Sequence, residues 1–281
     1  MFFDKKMCKF VFFMLYIEKN SVVLTWKIKK SLEYNMKKKI LALCAAGLIF
    51  SLTGCEETMD PNDPQSVRRY LTKKQIGFTP NQFVSYAVNS DTAKMTLFLQ
   101  ASFEIDQPAD NGNNAVAIAA NKGNMMVLNY LFDHGAKANV NNGNGEPVID
   151  NAVMMGNKEV VVRILQQLKK EGVEPQNLAT AVLIAAKTGK ADMLEVLADA
   201  GAPLENRSPD GYMPIHWAVK SGNYDAMMFL IKKGVDVNAK CGQGYSVLDW
   251  ATNEGYTRLI KALKKVGAKN TAKYKLDSRG R

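Results

Sequence analysis

The 281-residue chain is poor in histidine and cysteine, with two and four residues respectively. Cys8 and Cys44 lie in an N-terminal part that carries the marks of a removable signal, and Cys55 sits at its processing site. Only Cys241 then remains in the body, which excludes an internal disulfide framework and a four-cysteine metal site. A long apolar run is also missing. Ile40 to Phe50 is a stretch of eleven residues, and a membrane-spanning helix needs about 20. Positive charge is abundant only at the two ends. Residues 1–54 hold ten Lys and three acids, and Arg258 to Arg281 holds nine basic residues and one acid. The body between them, residues 55–257, has a net charge of −5 although the whole chain carries +10. A broadly basic domain that embraces nucleic acid is excluded by that distribution. With 47% hydrophobic and 23% charged residues, wholesale disorder is excluded too.

Familiar catalytic patterns are equally scarce. No phosphate loop ends in Lys-Ser/Thr, no helix carries paired His of the metalloprotease kind, and no nucleophile elbow occurs. Gly143-Asn144-Gly145 lacks a third glycine, with Val148 in its place, and no strand precedes it. The carboxylate pairs Glu171/Glu174 and Asp60/Asp63 fall in loops or in a tether, where they are solvated. The expectation is a protein without catalytic residues, metal, cofactor or small-molecule substrate.

From Met36 the chain reads as an export signal. Lys37 to Lys39 precede the apolar stretch, and Ser51-Leu52-Thr53-Gly54-Cys55 closes it with small residues. Leu52-Thr53-Gly54-Cys55 resembles the lipobox of bacterial lipoproteins. That resemblance implies cleavage before Cys55, lipidation of its sulfur, and anchoring in a bacterial envelope. Glu56 resembles the residue that follows the cysteine in outer-membrane lipoproteins, so the periplasmic side of the outer membrane is favoured. Residues 1–35 are then an over-long start or an N-terminal extension, and residues 36–54 the signal. Residues 55–75 are a tether and a short lead-in helix. In this reading Glu56 to Gln65 is the tether, with two prolines and four acids, and Val67 to Lys74 is the helix.

What the body has in abundance is a period. Gly123, Gly156, Gly189, Gly222 and Gly255 recur at one constant interval, a period of about 33 residues. Asn111, Asn144, Asn177 and Asp210 share the spacing, as do Trp217 and Trp250. One unit shows the local logic. Ser208-Pro209-Asp210-Gly211-Tyr212 is a turn signal. Pro214 opens a helix with Ile215, Trp217, Ala218 and Val219 as its apolar face, and Gly222 ends it. A second helix follows from Asp225 to Lys233 and ends at Gly234. Such a hairpin cannot bury its faces alone, so the units must stack.

The stretch Met213-Pro214-Ile215-His216-Trp217-Ala218-Val219 resembles the Thr-Pro-Leu-His opening of the ankyrin repeat. Ser246-Val247-Leu248-Asp249-Trp250-Ala251, Pro147-Val148-Ile149-Asp150 and Asn114-Ala115-Val116-Ala117 are more distant versions. The resemblance implies an all-α solenoid of about six helical hairpins over residues 76–270. The units are 76–106, 107–142, 143–177, 178–206, 207–240 and 241–270, and residues 271–281 form a frayed basic tail. The first unit has Asp91 at the first-helix glycine position, one position short of a full period before Gly123, and lacks its neighbours' glycines.

The third unit breaks the period. Its second-helix glycine, due at Leu168, arrives at Gly172, while Gly189 stays on period. Four residues make about one helical turn. The helix ending near Glu171 is therefore expected to be one turn longer than its neighbours. The turn from Val173 to Ala179 is expected to be shorter, leaving a gap in the row of projecting fingers.

Family resemblance assigns His216 to hydrogen bonds between repeats, and His134 suits a helix end. The spacing places Met125, Met126, Met227, Met228, Trp217 and Trp250 in the core. The resemblance also implies a binding face made by the fingers and the ends of the first helices. On this chain that face comprises Asn111, Asn144, Glu146, Met154, Met155, Lys187, Asp210, Tyr212, Lys220, Gln243, Tyr245 and Glu254. Asn113 and Lys122 join it. Tyr212 and Tyr245 are expected as exposed anchors for a protein partner, and Cys241 as an exposed finger residue. The expected function is a monomeric, lipid-anchored scaffold for an unidentified protein partner. An exported effector or protective module, or a redox accessory role through Cys241, is the alternative. The cationic end beyond Arg258 is read as a solvated last helix.

Overall fold

In the computed structural model, residues 59–271 are described. The signal, Cys55, the first residues of the tether and the end of the basic tail lie outside them. Among the described residues there are thirteen α-helices and no strands. They are α1 (Pro64–Lys73), α2 (Pro80–Val88), α3 (Thr92–Gln100), α4 (Ala115–Asn121), α5 (Met125–Asp133), α6 (Val148–Met155) and α7 (Lys158–Lys170). Then follow α8 (Ala179–Thr188), α9 (Ala191–Asp199), α10 (Pro214–Lys220), α11 (Tyr224–Lys232), α12 (Val247–Asn253) and α13 (Thr257–Lys265). From α2 onward they pair into six hairpins. First helices stack on first helices in one row, α2 through α12. In the other row α1 packs on α3, and α5, α7, α9 and α11 pack in succession.

Short polar residues start these helices. Asp63, Thr79, Asp91, Asn114, Asn124, Asn157 and Ser246 each accept a hydrogen bond from a first-turn backbone N–H. Asp63 starts α1 at Pro64, so the lead-in helix begins earlier than the expected Val67. Val67 and Leu71, four apart, turn its apolar side inward. Fully buried Leu128, Leu131, Ile164, Leu194, Leu197, Ile215 and Met227 belong to a core that runs the length of the stack.

The first unit solves its missing glycines in its own way. Ser90 and Ser102, one full period before Gly123 and Gly135, hold φ of 60° and 59°, beside 67° and 88° for those glycines. The glycine-equivalent residue is therefore Ser90. Asp91 instead caps α3 through the backbone N–H of Lys94. Five rings, Phe78, Phe83, Tyr86, Phe98 and Phe103, close this end of the stack with centroid separations of 4.8–5.8 Å.

The third unit departs as its shifted glycine requires. α7 has 13 residues, whereas α3, α5, α9, α11 and α13 have 9 each. Projecting turns occur at 109–113, 142–146, 208–212 and 241–245, each closed by a backbone hydrogen bond between its end residues. Between α7 and α8 the chain instead makes a 3₁₀ turn, Pro175–Leu178. The fingers thus form two pairs with a gap between them.

Within each pair, backbone lies against backbone. A Cβ on Gly242 would strike the carbonyl oxygen of Asp210, and one on Gly143 the carbonyl oxygen of Asn111. Only glycine permits that approach. Asn113 Oδ1 accepts from Gly143 N at 2.9 Å across the first pair. Arg207 spans the second, donating to Gly211 O at 2.8 Å and Lys240 O at 2.6 Å.

Candidate binding surface

The surface is built from the second finger pair and the ends of α8 and α10. Pro209, Asp210, Gly211, Tyr212, Trp217, Lys220, Gly242 and Gln243 line an open groove there. Tyr212 lies at its base. Contrary to the expected exposed anchor, Tyr212 is only 5% exposed. The finger folds its ring back against Trp217 at 5.2 Å and Trp250 at 5.9 Å between centroids. Its hydroxyl donates to Gln243 Oε1 at 3.1 Å, tying one finger to the next. Burial pushes the phenol pKa up, so it stays a neutral donor. Tyr245 is half-buried, edge-on to Trp250 at 5.9 Å.

Two lysines complete the surface. The Lys220 ammonium lies 5.0, 5.3 and 4.9 Å from the ring centroids of Tyr212, Trp217 and Trp250. Lys187 lies 5.1 Å from that of Trp217. Each such contact is worth roughly 0.5–2 kcal/mol, depending on desolvation. It fixes where a flexible ammonium sits.

The structure therefore joins Lys187, Asp210, Tyr212, Lys220, Gln243 and Tyr245 through two tryptophans. The other expected positions lie outside this cluster. Asn111 and Asn144 are exposed on the first finger pair. The Asn111 side chain is engaged within its own turn, accepting from Asn113 N at 3.0 Å. Glu146 likewise accepts from Asn142 Nδ2 at 2.9 Å. Met154 and Met155 are exposed at the end of α6, at 45% and 54%. Glu254 is exposed beyond α12.

Three further assignments change. Cys241, the first residue of its finger, is buried and not presented at the tip. Met126, expected in the core, is 57% exposed because it points out from the first turn of α5. Trp217, also expected in the core, is half-buried and forms the groove wall. A signal for Trp217 was present in the sequence. Lys187 precedes Trp217 by the same interval, slightly less than one period, by which Lys220 precedes Trp250. That interval places each lysine beside the ring of the next unit.

One position of the first helix recurs with different chemistry at Asp150, His216 and Asp249. His216 is fully buried, accepts from Met213 N at 3.2 Å through Nδ1, and bonds Ala239 O at 3.1 Å through Nε2. Burial lowers its pKa to about 4, so the ring is neutral and Nε2 is the donor. Asp249 is also buried, which raises a carboxyl, but hydrogen bonds from Thr271 and Ser246 outweigh this and lower it. Thr271 Oγ1 donates to Asp249 Oδ2 at 2.6 Å, and Ser246 Oγ donates to Lys269 O at 2.9 Å. Thr271, the first residue of the segment read as a frayed tail, is thus pinned; the rest of that segment lies outside the described residues. Asp150 Oδ1 is buried with no hydrogen-bond partner, and burial followed by the charge of Glu146 raises its carboxyl to about 6.

Among the described residues no group of three or more His, Cys, Asp or Glu is placed to hold a metal ion. No described helix is long and apolar enough to cross a membrane.

Comparison with known proteins agrees with this geometry. Residues 152–241 and 182–274 match the family described as ankyrin repeats (3 copies), and residues 115–165 match ankyrin repeats (many copies). The ankyrin repeat domain of Bcl-3, a member of the IkappaB family, superposes with a TM-score of 0.63. It has 19% identity, over 72% of this chain and 91% of that one. An ankyrin repeat domain from Acinetobacter baumannii AYE superposes at 0.59 with 23% identity, over 66% of this chain and 98% of its own. The ankyrin repeat protein EF0377 superposes at 0.58 with 25% identity, over the same shares. In sequence, 121 residues are 31% identical to the human transient receptor potential cation channel subfamily A member 1. These are 43% of this chain and only 10% of that protein. The repeats matched in sequence and superposed in structure make the chain, across residues 115–274, an ankyrin-repeat protein.

Proposed function

We propose that the chain is a non-enzymatic scaffold that docks one protein partner in the groove of its second finger pair. Ankyrin repeats are protein–protein interaction modules, and the groove supplies what such docking needs. Its walls are preformed, so little conformational entropy is lost on binding. Its aromatic and cationic groups, Trp217 and Lys220, are of the kinds that anchor binding interfaces. The observation that carries the reading is the groove itself, lined by Asp210, Tyr212, Trp217, Lys220 and Gln243. A lipid on Cys55 would hold this scaffold at the periplasmic side of a bacterial outer membrane, raising its concentration near partners there. The lipobox-like Leu52-Thr53-Gly54-Cys55 supports that part. The redox alternative loses its main support, because Cys241 is buried.

Two experiments test the two parts. A photo-crosslinker at Gln243, in the chain's own cells, is expected to capture a discrete protein. The same group at Lys169, at the end of α7, is expected to capture none. Equal capture at both positions contradicts docking in the groove. The intact mass from a membrane fraction is expected to equal residues 55–281 plus acyl chains. A mass that retains residues before Cys55 contradicts the anchor.

A further inference from the structure

Met154, Lys187 and Lys220, each one period after the last, lie in the last turns of the neighbouring first helices α6, α8 and α10. Asn121 and Asn253 occupy the same position on either side, so the series is bounded. Neighbouring helix axes lie about 8–10 Å apart, which sets the spacing of the three side chains. Both ammoniums rest against tryptophan rings, Lys187 on Trp217 and Lys220 on Trp250, at 5.1 and 4.9 Å. Among the described residues neither lies within 4.0 Å of a carboxylate; the ion pairs there use Arg69, Lys94, Arg163 and Lys233. These are two placed cations whose counter-charge is not supplied by the described domain. The third position in line, Met154, is an exposed, adaptable apolar side chain.

A β-strand does not fit this row, because its side chains at i and i+3 point to opposite faces. A polyproline II segment does. It has three residues per turn and rises about 3.1 Å per residue, so i, i+3 and i+6 share one face about 9 Å apart. We infer that the partner is an extended polyproline II-like protein segment, with carboxylates at i and i+3 on Lys220 and Lys187 and an apolar side chain at i+6 on Met154. This inference rests on the docking function proposed above and specifies the chemistry of the occupant.

The test uses synthetic peptides and the tryptophan fluorescence of the purified chain. The first peptide carries Glu, Glu and Leu at positions 1, 4 and 7 in a Pro-rich background, and the second is its reverse. A third has the same composition with both Glu adjacent. One of the first two is expected to bind at least tenfold more tightly than the third. Lys187→Gln and Lys220→Gln should each weaken that binding about tenfold while the helical circular dichroism is unchanged. Equal affinity for all three peptides overturns the inference, as does tighter binding of polyphosphate, which would make the row a general anion site. If Gln243 captures a protein partner but no peptide binds, the scaffold stands and the acidic segment does not. If both fail, the docking function falls as well.

Discussion

The junction after the fifth unit and the junction after the third use the same repeat position for opposite ends. After the fifth, His216 reaches across to Ala239 O, and the finger at 241–245 closes over Tyr212. After the third, α7 runs one turn further and a 3₁₀ turn, Pro175–Leu178, replaces the finger. Asp150 holds the same place as His216, but its Oδ1 has no hydrogen-bond partner. Asp249, at the last unit, shows that a carboxylate is acceptable there when Ser246 N before it and Thr271 after it supply donors; Pro147, in the place of Ser246, has no N–H to give Asp150. The residue type at this position does not set its chemistry alone; the backbone donor three residues before it and the segment that follows do.

The largest expected effect comes from dismantling the regular junction. Tyr212→Ala removes the ring that fills the space between Trp217 and Trp250, and should lower unfolding free energy by about 3–5 kcal/mol in urea titration. A loss under about 1 kcal/mol would mean that the finger does not depend on that ring.

The next effect should have the opposite sign. Burial raises Asp150 from 3.8 to about 6, so the folded chain keeps a proton that the unfolded chain releases. The stability tied to that proton is present below about pH 4 and is lost as pH rises through 6. At pH 7 the loss amounts to at most about 3 kcal/mol, so Asp150→Asn should stabilise the domain there by about 2 kcal/mol and have little effect at pH 4. His216 runs the other way. Burial lowers it from 6.5 to about 4, so its stability is present above about 6.5 and lost as pH falls toward 4. Since the two shifts oppose, Asp150→Asn should expose a steep acid loss that the unaltered chain partly masks. An unchanged pH profile would contradict the opposed roles of Asp150 and His216.

Two further effects are of similar or smaller size. Thr271→Ala removes the hydroxyl that donates to Asp249 Oδ2 at 2.6 Å, and should cost about 1.5–3 kcal/mol, as for other hydrogen bonds to a charged group. If the cost were nil, the last unit would not rely on the segment after α13. Ser102→Gly relieves a left-handed residue with φ 59°, and should stabilise by about 1 kcal/mol in thermal unfolding. Destabilisation there would mean that the serine contributes contacts beyond its backbone.

Much of this architecture is legible in the sequence because glycine marks helix ends. The spacing of Gly123 through Gly255 gives the hairpins, and the displaced Gly172 gives the longer α7 and the missing finger. The candidate site is less legible. Its residues come from two fingers and from first helices in successive units, and a period says which residues are equivalent, not which way a finger leans. The turn glycine before Tyr212 points to an outward ring, yet the finger folds it back onto two tryptophans. The apolar face of α10 points to a core position for Trp217, yet that face ends at the groove. In sequence Asp150 is only a drifted family position. Its missing partner has one cause in the sequence, Pro147 without an N–H where Met213 and Ser246 donate, and one in the fold, a turn more than twenty residues later that supplies no donor.

The absence of donors around Asp150, beside their presence around Asp249, can be tested at one carboxyl group. Carbon-13 NMR of the Asp150 side chain, followed through a pH titration, should give a midpoint near 6, well above the ordinary value of 3.8. A midpoint at or below the ordinary value would show that the carboxylate has found donors in solution, and the contrast between the two junctions would fail.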